Sequence, residues 1–175
     1  MLPILQLIVD TIATVLGGVL LLRFWMQAIR VRPPSSVGQF IFTLSDWLVK
    51  PLRRIVPGAG GYDWASLIGA FLVVLLATSI LFIVGASAEQ VFLLALGRFV
   101  KWIIYGFIAL LIIEAIFSWV NPHAPLAPFV HALNDPLLRP IRKVVPPIGG
   151  LDLSVLVAVL LLQIALYLLR TVIPI

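Results

Sequence analysis

Four stretches of the sequence are apolar for long enough to cross a lipid bilayer. The hydrocarbon core is roughly 30 Å thick and takes about 20 apolar helical residues to cross. The stretches cover approximately Leu2–Ile29, Ala65–Gly85, Phe99–Val120 and Leu153–Ile173. Segments rich in proline, glycine and charged residues separate the first two stretches and the last two. The pattern therefore predicts an all-α membrane protein with four transmembrane helices.

The segments that join the first two and the last two stretches carry apolar residues at helical spacing. In the first connector these residues are Phe40, Ile41, Leu44, Leu48, Leu52 and Ile55, and in the second they are Phe129, Val130, Leu133, Leu137, Ile141 and Val144. A helix of this kind lies in the membrane interface, with its arginines and lysines at phosphate level. Each connector is therefore predicted to be amphipathic and to lie on the membrane surface.

The two connectors are copies of one another. Residues 44–63 align without a gap to residues 133–152 at a shift of 89 positions, and ten of the twenty pairs are identical. The same shift maps the second apolar stretch onto the fourth, and the C-terminal part of the first onto the third. The chain is therefore predicted to be a tandem duplication, with repeats at residues 1–88 and 89–175.

The identical residues of the connectors suit structural roles that need no chemistry. Asp46 and Asp135 are predicted to be helix N-caps. Proline is expected to bend and then end each helix, at Pro51 and Pro57 in the first copy and at Pro140 and Pro146 in the second. Glycine allows positive φ in the turn that follows, at Gly60, Gly61, Gly149 and Gly150. Asp63 and Asp152 are expected to cap the next transmembrane helices.

The duplication and the basic residues predict the orientation. Two crossings return the chain to its starting side, so the repeats are expected to be parallel, related by a pseudo-two-fold axis along the membrane normal. The connectors hold eight basic residues near the membrane surface and the opposite side holds three. This imbalance predicts that both connectors lie in the cytoplasm and both termini lie outside.

Composition agrees with a membrane protein and narrows its chemistry. Hydrophobic residues make up 62% of the 175 residues, charged residues make up 11%, and the mean hydropathy is +1.19. The chain contains no cysteine, which excludes disulfides, iron–sulfur clusters and thiolate metal sites. Most of the basic residues behind its net charge of +5 lie in the connectors, where they set the orientation of the chain in the membrane. Anionic lipids at the cytoplasmic face are therefore expected partners, and nucleic acid is not.

Basic residues of the connectors are the candidate lipid- or partner-binding residues, since two copies of one motif would form a two-fold platform. They are Arg53, Arg54, Arg142 and Lys143. Arg53 and Arg142 are the strongest candidates, because both copies keep arginine at that position. The alternative is that these side chains simply extend to lipid phosphates.

Ionisable residues inside the apolar stretches are candidate sites, because they are unfavourable in a bilayer. At the depths given by the repeat, Asp10 is predicted to pair with Arg98 or Lys101 near the outer surface. Arg23 is predicted to pair with Glu114 near the inner surface. One alternative is that Arg98 and Lys101 end a shorter third helix while Asp10 faces water. Another is that Glu114, if it has no partner, becomes a cation or proton site.

No sequence motif indicates an enzyme. No Ser-His-Asp arrangement, phosphate loop, nucleotide fingerprint or pair of catalytic carboxylates is visible. His123 and His131 have no histidine at the matching positions of the first copy, so interfacial packing is a better interpretation than ligation of haem or metal. We therefore expect no cofactor, no metal and no catalytic residues.

The second connector resembles the signature of the YggT family of small bacterial membrane proteins. The resemblance rests on residues 135–147, which read DPLLRPIRKVVPP, followed by Gly149, Gly150 and Asp152. The first copy departs from it at Trp47 and Gly58, where the family pattern has proline. The resemblance assigns no catalytic residues. It implies roles in division or nucleoid distribution, in cytochrome assembly, or in osmotic tolerance with potassium uptake.

The expected function is that of a non-enzymatic accessory or scaffold protein that organises other membrane components. The alternative is a small channel or transporter subunit in potassium or osmotic homeostasis. A pore would require several copies, since four helices leave little room for an aqueous path, and a homo-oligomer is therefore expected. Glu114 discriminates between the two functions, because a transporter needs it, or Asp10, to face water or substrate, whereas a scaffold needs Glu114 only to be neutralised.

Overall fold

The computed structural model describes residues 2–145 and 152–173, with the side chains of Leu2 and Pro3 left aside. Their regular structure is helical. The α-helices are α1 (Leu2–Ala28), α2 (Ser35–Ile55), α3 (Trp64–Thr78), α4 (Ala88–Val120), α5 (Ala127–Arg142) and α6 (Leu153–Val172). A 3-10 helix, Ser79–Val84, continues directly from α3.

Four of the helical segments are long and apolar enough to cross a membrane. They are Ile4–Ala28, Trp64–Val84, Ala88–Val120 and Leu153–Val172. Charged side chains within them are few, so each can place its backbone hydrogen bonds and apolar side chains in hydrocarbon. The predicted all-α membrane fold with four transmembrane helices is confirmed.

Helix α4 is longer than the sequence predicted. Instead of beginning at Phe99 it begins at Ala88, where Ser87 and Gln90 form a capping box. The Ser87 hydroxyl accepts from the Gln90 amide, and the Gln90 side chain accepts from the Ser87 amide. These two bonds satisfy amides that an open helix end leaves without partners. Arg98 and Lys101 therefore lie inside α4 and do not end it.

The connectors form continuous helices, contrary to the predicted N-caps. Asp46 lies in the middle of α2 and Asp135 in the middle of α5, whose N-cap residues are Pro34 and Leu126. Pro51 and Pro140 also lie inside these helices. Each proline removes one backbone hydrogen bond. Burial of the apolar side of each helix against the spans, described next, outweighs that loss.

Each connector packs on the two spans of its own repeat. Val49 of α2 is buried against Leu20 of α1 and Ala65 and Ala70 of α3. Leu138 of α5, the residue 89 positions after Val49, is buried against Leu111 of α4 and Ala158 of α6. Burying one such side chain contributes about 1.5–3 kcal/mol. These contacts hold α2 and α5 against the ends of the spans.

The turn after α2 has the predicted form. The helix ends at Ile55, two residues before Pro57. Gly60 and Gly61 follow with φ of 68° and 81°, values that residues with a Cβ rarely adopt. The corresponding predictions for Pro146, Gly149 and Gly150 lie outside the described residues.

Candidate functional site: the connector face

Both connectors lie at the same end of the helix bundle. The Trp25 indole N–H near the end of α1 donates to the Leu133 carbonyl of α5 at 2.9 Å. Met26, Ile41 and Leu133 form one buried cluster, which joins α1, α2 and α5. We define the connector face as α2, α5 and the adjoining ends of α1, α3, α4 and α6. The predicted binding residues lie on this face.

Arg23 of α1 is the centre of the polar cluster in the first repeat. Its side chain is 6% exposed. One terminal nitrogen donates to the Ser45 hydroxyl at 2.6 Å and to the Asp46 carboxylate at 2.7 Å. Its guanidinium also lies over the Phe42 ring, 5.0 Å from the centroid. The predicted pairing of Arg23 with Glu114 is therefore wrong, because α2 of the same repeat supplies the neutralising charge.

Asp63 is the most deeply buried acid of this cluster, at 2% side-chain exposure. It accepts from Arg53 at 2.6 Å and from the Ser66 hydroxyl at 2.6 Å, and Arg23 Nε lies 3.5 Å away. Burial by itself raises the pKa of Asp63, but the hydrogen bonds and nearby guanidinium charges outweigh it and hold the pKa below its ordinary value. Asp63 occupies the N-cap position of α3, but its carboxylate bonds side chains and makes no cap bond to the backbone.

The second repeat contains the equivalent ion pair. Arg142 of α5 lies 2.7 Å from Asp152, just as Arg53 lies beside Asp63, and Asp135 lies 3.7 Å from Arg142. Asp152 also accepts from the Ser154 backbone amide at 3.0 Å and from the Ser154 hydroxyl. Burial by itself raises the pKa of Asp152. The hydrogen bonds from Ser154 and Arg142 lower the pKa by more than burial raises it, so the net shift is downward. Asp152 therefore makes the predicted cap of α6.

Glu114 has partners that sequence reasoning did not identify. One oxygen lies 2.9 Å from His131 Nδ1 and 3.2 Å from Arg142. The other oxygen is buried and has no hydrogen-bond partner within the described residues. The second cluster therefore brings Glu114, Asp135 and Asp152 around a single arginine and one histidine. It has an excess of negative charge, whereas in the first cluster two arginines balance two aspartates.

The other end of the bundle holds the second predicted ion pair. Arg98 of α4 donates to Asp10 of α1 at 2.5 Å and to the Thr78 hydroxyl at 3.2 Å. The structure thus brings together Asp10 and Arg98, as the register of the repeats predicts. Arg98 is the partner of Asp10 among the two candidates, since no ion pair of Lys101 occurs within the described ranges.

Arg54 and Lys143, the remaining predicted binding residues, are exposed on the connector face. Arg53 and Arg142 instead bond internally to Asp63 and Asp152. The repeat contains a signal for these two internal ion pairs, because both copies keep an arginine and an aspartate ten residues apart. Binding of lipid or partner by these four residues stays a prediction.

Two clefts open at equivalent places on the connector face. The first, about 420 Å³, is lined by residues of α1, α2 and the loops beside them, and the second, about 620 Å³, lies between α4, α5 and α6. Six lining positions of the first cleft recur 89 residues later in the second. They are Arg23/Ile112, Met26/Ala115, Arg30/Trp119, Pro33/Pro122, Phe42/His131 and Arg53/Arg142. The cleft is therefore part of the repeated unit, while its charge is not.

The side chains that the structure describes do not form a metal centre. No group of three or more His, Asp or Glu side chains that could hold a metal ion occurs in residues 2–145 and 152–173. His131 contacts a single carboxylate, that of Glu114. The clusters are built from ion pairs.

Acid is expected to weaken the fold through the buried aspartates. A carboxylate whose pKa is lower in the folded chain than in the unfolded chain adds stability above about pH 3.9, and that stability is lost as the pH falls through the folded-state pKa. The melting temperature in detergent should therefore drop below about pH 4. The variant Asp63→Asn/Asp152→Asn should have a lower melting temperature than wild type at pH 7, and its melting temperature should fall less on acidification. Equally steep losses in variant and wild type would contradict this.

Comparison with known proteins agrees with the two-repeat organisation. Residues 1–84 and 93–173 each match the CCB3/YggT family model. A Vibrio alginolyticus protein of the proC 3′ region is 33% identical in an alignment of 182 positions, which covers 97% of this chain and 95% of that protein. The YggT protein of Escherichia coli K12 is 34% identical over 168 residues, covering 91% of this chain and 86% of its own.

A third relative, from Pseudomonas aeruginosa, is 36% identical over 163 residues, covering 89% of this chain and 83% of its own. The names of these three relatives give no activity, substrate or partner. No solved structure matches the chain.

Proposed function

This chain belongs to the CCB3/YggT family, and we propose that it is a non-enzymatic scaffold of the bacterial inner membrane. In this role the connector face gathers other membrane components and assists their assembly. Its partners are anionic lipids, other membrane proteins and further copies of the chain. The connectors face the cytoplasm and the termini the periplasm.

The attachment of both connectors to the spans, through ion pairs and buried side chains, is the observation that carries this proposal. Arg53–Asp63 and Arg142–Asp152 tie each amphipathic helix to the start of the following span. Buried contacts of Val49 and Leu138 add apolar attachment. A surface held in place in this way loses little conformational entropy when a partner binds.

Exposed groups on α2 suit a contact surface. Phe40, Trp47 and Ile55 are exposed large apolar side chains, and Arg54 is exposed beside them. Aromatic residues and arginine are enriched where proteins bind one another. In a membrane the same groups also suit the lipid interface, so membrane proteins and lipids both contact this surface.

Co-purification from native membranes tests the scaffold. We expect the tagged wild type to recover a reproducible set of membrane proteins that Arg54→Gln/Lys143→Gln recovers at a few per cent of the wild-type yield. Both residues are exposed on the connector face. The matched control, Lys101→Gln/Arg170→Gln, removes the same charge away from that face and should recover the full set. Equal recovery by the two double variants would contradict the proposal.

Cation transport is the second candidate function, and it is favoured by the Glu114 oxygen that has no hydrogen-bond partner among the described residues. That oxygen is buried in the wall of the second cleft, where negative charge exceeds positive charge. Purified protein in liposomes would then carry potassium, and Glu114→Gln would abolish the flux while Glu89→Gln, at the opposite end, would not. Absence of flux from correctly inserted wild-type protein excludes this candidate.

A further inference from the structure

The first cleft has a strongly basic lining. Arg23, Arg30, Arg32 and Arg53 line it, together with the apolar side chains of Met26 and Phe42. Asp46 and Asp63 neutralise two of these charges through Arg23 and Arg53. Arg30 and Arg32 are exposed, and they make no ion pair or side-chain hydrogen bond within the described residues. Two guanidinium groups at the cleft are therefore available to a ligand.

The inner wall of this cleft contains a buried donor without an acceptor. Arg23 is more than nine-tenths buried, yet its Nε has no hydrogen-bond partner within the described part of the chain. The nearest carboxylate oxygen, on Asp63, is 3.5 Å away. A buried charged donor left in this state is unfavourable by more than a neutral one. An anionic oxygen in the cleft would relieve that penalty.

The second repeat shows that the fold does not need these arginines. At the equivalent positions of the second cleft, Arg23 is replaced by Ile112 and Arg30 by Trp119. Pro33 and Arg53 keep their type there, as Pro122 and Arg142. The second cleft therefore forms without arginine at these two positions, so the shape of the cleft does not explain Arg23 and Arg30.

The backbone at Arg30 supports the same conclusion. The amide of Val31 donates to the Met26 carbonyl at 2.9 Å, which ends α1 in a Schellman-type turn. Arg30 occupies the left-handed position of this turn, with φ of 58°, where glycine is the usual residue. An arginine at this position is therefore not explained by the turn.

We infer that the first cleft binds a phosphate group. Guanidinium groups bind phosphate through paired, charge-assisted hydrogen bonds. Four arginines and two aspartates leave a charge of about +2, which suits a phosphate monoester carrying up to two negative charges. The volume of about 420 Å³ exceeds that of a phosphate, so a head group and its glycerol also fit. This inference does not depend on the scaffold function.

The test measures binding of phosphatidic acid by the full-length protein in neutral detergent micelles, with phosphatidylcholine as the reference lipid. Wild type should bind phosphatidic acid at least tenfold more tightly than phosphatidylcholine. Arg30→Gln/Arg32→Gln should abolish that preference. The matched control, Lys101→Gln/Arg170→Gln, removes the same charge away from the connector face and should change the affinity by less than twofold.

Two further measurements show which part of the lipid is recognised and separate a loss of binding from a loss of folding. Glycerol 3-phosphate that competes with the lipid shows that the head group alone is recognised, and its failure to compete shows that the acyl chains are required. Arg30→Gly suits the turn, so it should melt no lower than wild type and still bind at least fivefold more weakly. Equal losses in both double variants, or an unchanged affinity of Arg30→Gln/Arg32→Gln, would overturn the inference.

Discussion

Replacing Asp63 with asparagine is expected to lower the free energy of unfolding by about 3–5 kcal/mol. The Asp63 side chain is 2% exposed and lies between the guanidinium groups of Arg53 and Arg23. Asparagine keeps the size of the side chain but removes its charge. Arg23 would remain buried with Asp46 as its neighbouring acid. The large effect arises because Arg53 and the buried Arg23 both lose a buried carboxylate, and Asp46 is then the one acid left to neutralise Arg23 among the described residues.

The equivalent variant in the second repeat, Asp152→Asn, is the matched control. Asp152 pairs with Arg142 at 2.7 Å, but its side chain is 35% exposed, so water screens the interaction. We expect a loss of about 1 kcal/mol or less. Unfolding of both variants in detergent, followed by circular dichroism, measures the difference. Equal losses in the two variants would show that burial of Asp63 does not determine its contribution.

Replacing Gly17 with alanine is expected to lower the free energy of unfolding by about 1–3 kcal/mol. Gly17 is buried on α1, and a Cβ added there would lie 2.2 Å from the Trp102 ring of α4. This distance is far below van der Waals contact. The indole would have to move, or α1 and α4 would have to separate, and close packing of these spans would be lost.

The neighbouring glycine gives the control for this prediction. A Cβ on Gly18 meets no atom within 4 Å, so Gly18→Ala should be neutral or slightly stabilising. In a Trp102→Ala background, Gly17→Ala should lose most of its effect, because the clashing ring is absent. An undiminished loss in that background would show that the clash is not with Trp102.

The sequence predicted the features of the fold that depend on hydropathy and register. The four spans follow from the length of the apolar stretches alone. The contact between Asp10 and Arg98 follows from the repeat, which places both residues at one depth on neighbouring spans. Depth in a membrane can be counted along a helix, at about 1.5 Å per residue.

The partner of Arg23 could not be obtained by the same counting. A repeat gives the depth of a residue but not the direction in which its side chain points around the helix. Arg23 points toward α2 and α3, so Asp46 and Asp63 neutralise it. Glu114 points toward α5 and α6 and contacts His131 and Arg142. The direction depends on the packing of the spans, which the sequence alone does not give.

The helix boundaries were predicted less well, for a different reason. In the connectors, aspartate and proline indicate helix starts near Asp46 and Asp135, whereas the apolar spacing extends to earlier residues. Tertiary burial of the apolar side outweighs these local preferences. The early start of α4 was readable from the sequence, since Ser87 and Gln90 have the spacing of a capping box.

Labelling of single cysteines tests the central claim, that both connectors lie on the cytoplasmic face of two parallel repeats. The sequence has no cysteine, so Lys50→Cys in α2, Arg139→Cys in α5 and Glu89→Cys at the start of α4 each create one site. All three positions are exposed. With only the outer membrane permeabilised, an impermeant maleimide should label position 89 and neither connector, and permeabilising both membranes should expose positions 50 and 139 together. Labelling of one connector without the other would contradict the account.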